Sequence, residues 1–269
     1  MLCDCDDSTT WGAQVAYGLG EGTYMQLVGP SGDTISTEAT TKATAGLDSY
    51  GAKLCFGDWV YWLDTTNNVL RVVSPQAFFA GELASLSPEQ SSLNKPMQGI
   101  VGTQKSYTNT TYSDADLTQF ANAGIDVITN PVPGGSYFGA RFGHNSSSNP
   151  VINGDNYVRM TNYLVTTFQA GMGIFIGKLQ SATVRAQALA TISSFLDNLQ
   201  QAGMIGDPNG GPAYSVTLNA SNNPPSRVAL GYMQVDVQVK YLAIIEKFLV
   251  NVEGGTSVQI IKSSTALAA

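Results

Sequence analysis

A single histidine, His144, limits the proton-transfer chemistry open to this chain. Imidazole is the side chain best suited to moving protons near neutral pH, so a Ser–His–Asp arrangement would have to be built on it. It lies in Gly143-His144-Asn145-Ser146-Ser147-Ser148. Serines adjacent in sequence say nothing about a triad, because triads are assembled from distant segments. No G-x-S-x-G elbow is present, and the expected reading is an ordinary loop histidine. Cys3 and Cys5 stand among Asp4, Asp6 and Asp7, with Cys55 far downstream. Zinc sites pair C-x-x-C with a second ligand pair. The C-x-C spacing and the distance to any histidine point instead to one face of a buried strand running into a turn. Gly171-Met172-Gly173 and the glycines from Gly203 to Gly211 lack the Lys-Ser/Thr of a phosphate loop. No catalytic residue, cofactor site or metal site is expected.

Composition points away from several partners. Charged residues are 12% of the 269 residues, against roughly 25% in ordinary soluble domains. Ser, Thr, Asn, Gln and Gly supply the polarity instead, and such a surface costs less to desolvate than one of Lys and Glu. A net charge of −7, with the basic residues scattered, is the wrong footprint for nucleic acid. No apolar stretch approaches membrane-helix length, since Glu246 and Lys247 interrupt the run from Tyr241 to Val250. No signal peptide is read at the start, and three cysteines imply no disulfide framework.

The elements expected from pattern are these. Leu2-Cys3 ends a strand, a helix follows to about Tyr17, and Tyr24–Val28 is the next strand, an α/β unit whose left half is missing. A weak helix falls within residues 31–50. Lys53–Leu63 reads as one strand, in a hairpin with Val69–Val73. Ser74-Pro75 opens a helix carrying Phe78, Phe79, Leu83 and Leu86. Ser113 and Asp116 form a capping-box start, and Gly124 ends that helix. Ile125–Thr129 and Tyr137–Phe142 form a second hairpin. Helices follow over Asn156–Gln169 and from Ser181 to a stop at Gly203. Tyr214–Asn219, Val228–Lys240 and Ile244–Val252 are expected strands. Together these give an α+β chain: a truncated α/β part over 1–105, an α+β domain with a mainly antiparallel sheet packed by helices over 106–253, and an arm over 254–269.

That arm carries the clearest functional signal. Gly254-Gly255 breaks the strand-like run, and Thr256-Ser257-Val258-Gln259-Ile260-Ile261 resumes it. A strand beyond a glycine hinge can fold back on its own sheet or pair with a neighbour's exposed edge.

The order of landmarks has a resemblance. Leu70-Arg71-Val72-Val73-Ser74-Pro75 leads through Ala77-Phe78-Phe79-Ala80-Gly81 to Leu93-Asn94-Lys95-Pro96-Met97-Gln98-Gly99. Phe120-Ala121-Asn122-Ala123-Gly124-Ile125-Asp126-Val127-Ile128 and Tyr137-Phe138-Gly139-Ala140-Arg141 follow, then Tyr157-Val158-Arg159 and finally Phe195-Leu196 to Gly203-Met204-Ile205-Gly206. This resembles the C-terminal part of contractile tail sheath proteins of myovirus-type phages and related bacteriocin-like particles. Ser74-Pro75 stands where that family often has a double proline, and the family's N-terminal portion and arm are absent.

The resemblance implies a structural subunit that stacks as rings around a tail tube and contracts to drive the tube through a host envelope. It implies a homo-oligomer, with tube protein, baseplate and tail terminator as partners, assembled in the host cytoplasm and located in the virion. It also implies a subtilisin-like shape for the α/β part, without protease activity. In that family, arm strands add to a sheet in the C-terminal domain, which agrees with the reading of Gly254 to Ile261. Lys178 and Arg185, near helix ends, are candidate tube contacts. Two other classes stay open: an α/β hydrolase-like enzyme, and a different virion or adhesive module.

Overall fold

The computed structural model describes residues 2–3, 9–107, 111–248 and 250. In chain order the elements are β1 (Leu2–Cys3), α1 (Trp11–Gly20), β2 (Met25–Val28), α2 (Ile35–Thr44), β3 (Ala52–Cys55), β4 (Val60–Asp64), β5 (Val69–Val73), α3 (Pro75–Ser85), β6 (Ile100–Thr103), α4 (Gln104–Tyr107), α5 (Asp114–Ala123), β7 (Ile128–Thr129), β8 (Gly139–Ala140), α6 (Asp155–Met172), α7 (Ala182–Gln201), β9 (Tyr214–Thr217), α8 (Pro225–Ala229) and β10 (Asp236–Val239). The fold is mixed α+β.

The expected strand–helix–strand start forms a parallel sheet in the order β1-β2-β3. Asp126 extends it in parallel beside Cys55, with Phe56 N donating to Asp126 O at 2.8 Å and Asp126 N to Leu54 O at 2.9 Å. Every residue of β2 and β3 is buried, as parallel strands covered on both faces must be. On one face Met25, Leu27, Ala52 and Leu54 pack with Trp11 and Val15 of α1 and Phe120 of α5, together with Ile125 and Val127. On the other, Val28 and Cys55 meet Phe79 of α3, Met97 and Ala140. The first core therefore draws on both sides of position 105, where the domain boundary was expected.

Three strand expectations need correction. Lys53–Leu63 is not one strand. It breaks after Cys55, and β4 joins a separate antiparallel sheet in the order β5-β4-β6. The break is at Gly57, whose missing Cβ would lie 2.1 Å from the Pro30 carbonyl oxygen. The chain can turn against its neighbour only because no side chain is there. Val228–Lys240 is likewise not one strand. Pro225 sits in the first turn of α8, where its fixed φ suits a helix. Gly231 then turns at φ +82°, and only Asp236–Val239 pairs. The described residues of Ile244–Val252 contain no strand.

Helix ends follow the local chemistry. The Ser113–Asp116 capping box is present in full, and Gly124 closes α5 at φ +62°. The Ser181 hydroxyl accepts from Val184 N at the start of α7. At its end Gly203 adopts φ +72°, with Met204 N donating to Leu199 O at 3.0 Å.

Candidate assembly interface

The second core is a helix pair under a small sheet. Met160 and Leu164 of α6 pack with Ile192, Leu196 and Leu199 of α7, along with Ile205 and Ala213. β9 and β10 pair antiparallel with Val216 opposite Val237 and Tyr214 opposite Val239. Opposed residues share a face, and these four lie against the helices. Ser215, Thr217, Asp236 and Gln238 form the outer face. Among the described residues this sheet has two strands, so each strand has an outer edge with no strand beside it. An unfilled edge is a template for a strand from elsewhere. A cleft of about 500 Å³ runs beside β10, with Val235 and Val237 on one wall and Phe168, Met172, Phe175 and Tyr232 among the others. Side chains of an added strand would have an apolar place to go.

This second core is held to the first by two polar devices. Arg159 of α6 reaches the end of α3 and donates to four carbonyls: Leu83 at 2.6 Å, Leu86 at 2.7 Å, Gln90 at 2.8 Å and Ser87 at 3.2 Å. It satisfies carbonyls that the helix end leaves without partners, and burial lowers its pKa from the ordinary value. The second device surrounds Lys53. Its Nζ lies 2.7 Å from Asp126 and 3.3 Å from Asp155, with all three side chains fully buried, and 4.6 Å from the Phe79 ring centre. Burial alone would lower the Lys53 pKa, but the two carboxylates outweigh it and hold it above the usual value. Asp126 also accepts from Val127 N, Phe142 N and Gly143 N. Asp155, at the first position of α6, accepts from Ser92 N and its hydroxyl. The cluster thus ties β3, residues 92 and 126 and the start of α6 to one ammonium.

His144 is not part of a triad. Its Nε2 meets Glu246 at 2.8 Å and its Nδ1 faces the Asn153 amide nitrogen at 3.5 Å. Lys178 and Arg185 both lie at the α6–α7 tip. Lys178 is exposed, with Nζ 5.1 Å from the Phe175 ring, and Arg185 donates to Gln180 Oε1 at 3.0 Å. The same tip exposes Ile174, Ile176 and Leu179. Gly254–Ile261, Cys5 and the aspartates beside it lie outside the described residues. Sequence reading missed Arg159 and Lys53 as organising residues. Lys53 did carry a signal: it is a lysine inside an otherwise apolar strand.

No family profile matches the chain, and no curated protein matches it. Solved structures do match. A sheath chain from an extracellular contractile injection system, the PVC sheath complex in its contracted state, superposes with a TM-score of 0.76 at 17% identity, covering 93% of this chain and 69% of that one. A chain of the anti-feeding prophage baseplate gives 0.74 at 13% identity, covering 92% of this chain and 65% of its own length. The sheath tail protein of Desulfitobacterium hafniense gives 0.56 at 14% identity, covering 78% and 47%. The chain therefore shares the fold of these contractile-particle chains, and it spans 69%, 65% and 47% of their own lengths in turn.

Proposed function

We propose that this protein is a structural subunit of a contractile sheath, polymerising around a tube and shortening to drive it through an envelope. The observation that carries this reading is the agreement of more than nine-tenths of the chain with the sheath chain of a contractile injection system. The two-stranded β9–β10 sheet adds a physical reason, because among the described residues its edges have no strand beside them and an apolar cleft runs along β10. Residues 254–261 are the proposed strand that a neighbouring copy receives there. Backbone pairing of this kind survives rigid-body rotation of subunits when a glycine hinge absorbs the dihedral change. The parallel-sheet unit is the proposed remainder of the subtilisin-like sheath domain. Lys178 and Arg185, on the exposed tip, are proposed to face the tube. Baseplate and terminator contacts, virion location and cytoplasmic assembly belong to the same proposal.

Electron microscopy of the purified chain, alone and with a tube protein, tests it. Hollow cylinders are expected. Deletion of residues 254–269 is expected to leave a folded, non-polymerising subunit. Monomers under all conditions, or filaments of another symmetry, would overturn the assignment. Cylinders from the truncated chain would overturn the role of the arm.

A further inference from the structure

Residues 241–248 run from β10 toward the C-terminus as Tyr-Leu-Ala-Ile-Ile-Glu-Lys-Phe. Their composition is rich in strand-forming side chains, yet they form no strand. Among the described residues, no backbone hydrogen bond joins this segment to another part of the chain. It is held by side chains alone. The Tyr241 hydroxyl meets Thr161 Oγ1 at 3.1 Å, and its ring lies 6.1 Å from that of Tyr157. Leu242 packs over Gly206. Farther out, Glu246 meets His144 at 2.8 Å. With the Asn153 amide nitrogen facing Nδ1, the proton belongs on Nε2, which donates to the carboxylate. Ile245 and Phe248 point to solvent at 77% and 84% exposure. A cleft of about 320 Å³ separates the segment from Pro150, Asn153 and Tyr157, so packing adds little to the hold at this end.

We propose that residues 241–248 are a latched strap: a strand-forming segment fastened to its own subunit by the Glu246–His144 contact, whose release frees that segment to pair with a sheet edge of another copy. The inference rests on the assembly reading and names a control on it. A β-prone segment with an unpaired backbone gains main-chain hydrogen bonds when it joins a sheet edge. The latch delays that step until a neighbour's edge is present.

Trypsin cleavage after Lys247 in the native chain, followed by mass spectrometry, reads the latch. His144→Ala is expected to speed it about two- to five-fold, the range for one partly exposed polar contact. His144→Gln, whose amide can still donate to Glu246, is expected to stay near wild type. In a Glu246→Ala background His144→Ala is expected to add nothing, because the shared contact is already gone. No acceleration, or equal acceleration in both backgrounds, would overturn the latch. The lag before polymerisation reads its consequence, and is expected to shorten in His144→Ala. Faster cleavage with an unchanged lag would overturn the link to assembly. Absence of polymer even for the unmodified chain would instead overturn the sheath reading, while the cleavage comparison would still decide the latch.

Discussion

Glu38 shows how much one side chain can make stability depend on pH. It is fully buried on α2, and Oε2 accepts from Gly57 N at 3.2 Å. Burial pushes its pKa to about 8, against a lowering effect of that hydrogen bond. A carboxyl raised in the folded state gives stability that is complete below its unfolded pKa and is lost as pH rises through the folded one. Urea midpoints are therefore expected to fall between about pH 4.5 and pH 8. Glu38→Gln is expected to flatten that decline and to gain about 1–3 kcal/mol at pH 8. An unchanged pH profile would contradict the assignment. Lys53 differs in that its charged form is the one its surroundings favour. Lys53→Met leaves Asp126 and Asp155 buried without their cation, and a loss of about 3–5 kcal/mol is expected in chemical denaturation.

At the scale of elements, Gly57 separates two sheets that the side-chain pattern alone would merge. Gly57→Ala places a methyl group against the Pro30 backbone, and neither strand can yield without disturbing buried pairing. A drop of about 2–4 kcal/mol in unfolding free energy is expected. A far-UV spectrum and midpoint equal to wild type would show that the turn relaxes freely. The β9–β10 pair illustrates the reverse case, since two strands are marginal alone and this pair is stabilised by its apolar face on α6 and α7. Among the described residues that arrangement leaves each edge without a neighbouring strand while the sheet stays intact.

For the whole molecule, the question is whether the two cores unfold together. All three tryptophans, Trp11, Trp59 and Trp62, lie in the first 62 residues, so fluorescence reports the first core while circular dichroism follows the long helices α6 and α7 as well. Arg159 and the Lys53–Asp155 contact couple the two. Coincident transitions are expected for the wild type. Arg159→Ala, which deprives four carbonyls of a charged donor, is expected to cost about 2–4 kcal/mol and to separate the two signals. Coincidence in the variant would mean that apolar packing, such as Val158 against Leu83, suffices to couple the cores. A rigid subunit is what the proposed sheath role requires, because strain must then pass between copies rather than dissipate within one.

The sequence by itself determined the longer helices, the ends of α5 and α7, the mixed α+β class and the lack of recognisable catalytic spacing around His144. Those features depend on neighbours within a few residues: Ser113 with Asp116, Pro75 at a helix start, glycines in left-handed turns, apolar stripes at helical period. Tertiary structure alone decided where Lys53–Leu63 divides, that Asp126 joins the first sheet, and that Lys53 and Arg159 fasten one core to the other. It also decided that Tyr241–Phe248, strand-like in composition, lies unpaired along its own subunit. These outcomes turn on partners distant in sequence, and strand pairing depends on which edge is within reach, a quantity that no local pattern encodes.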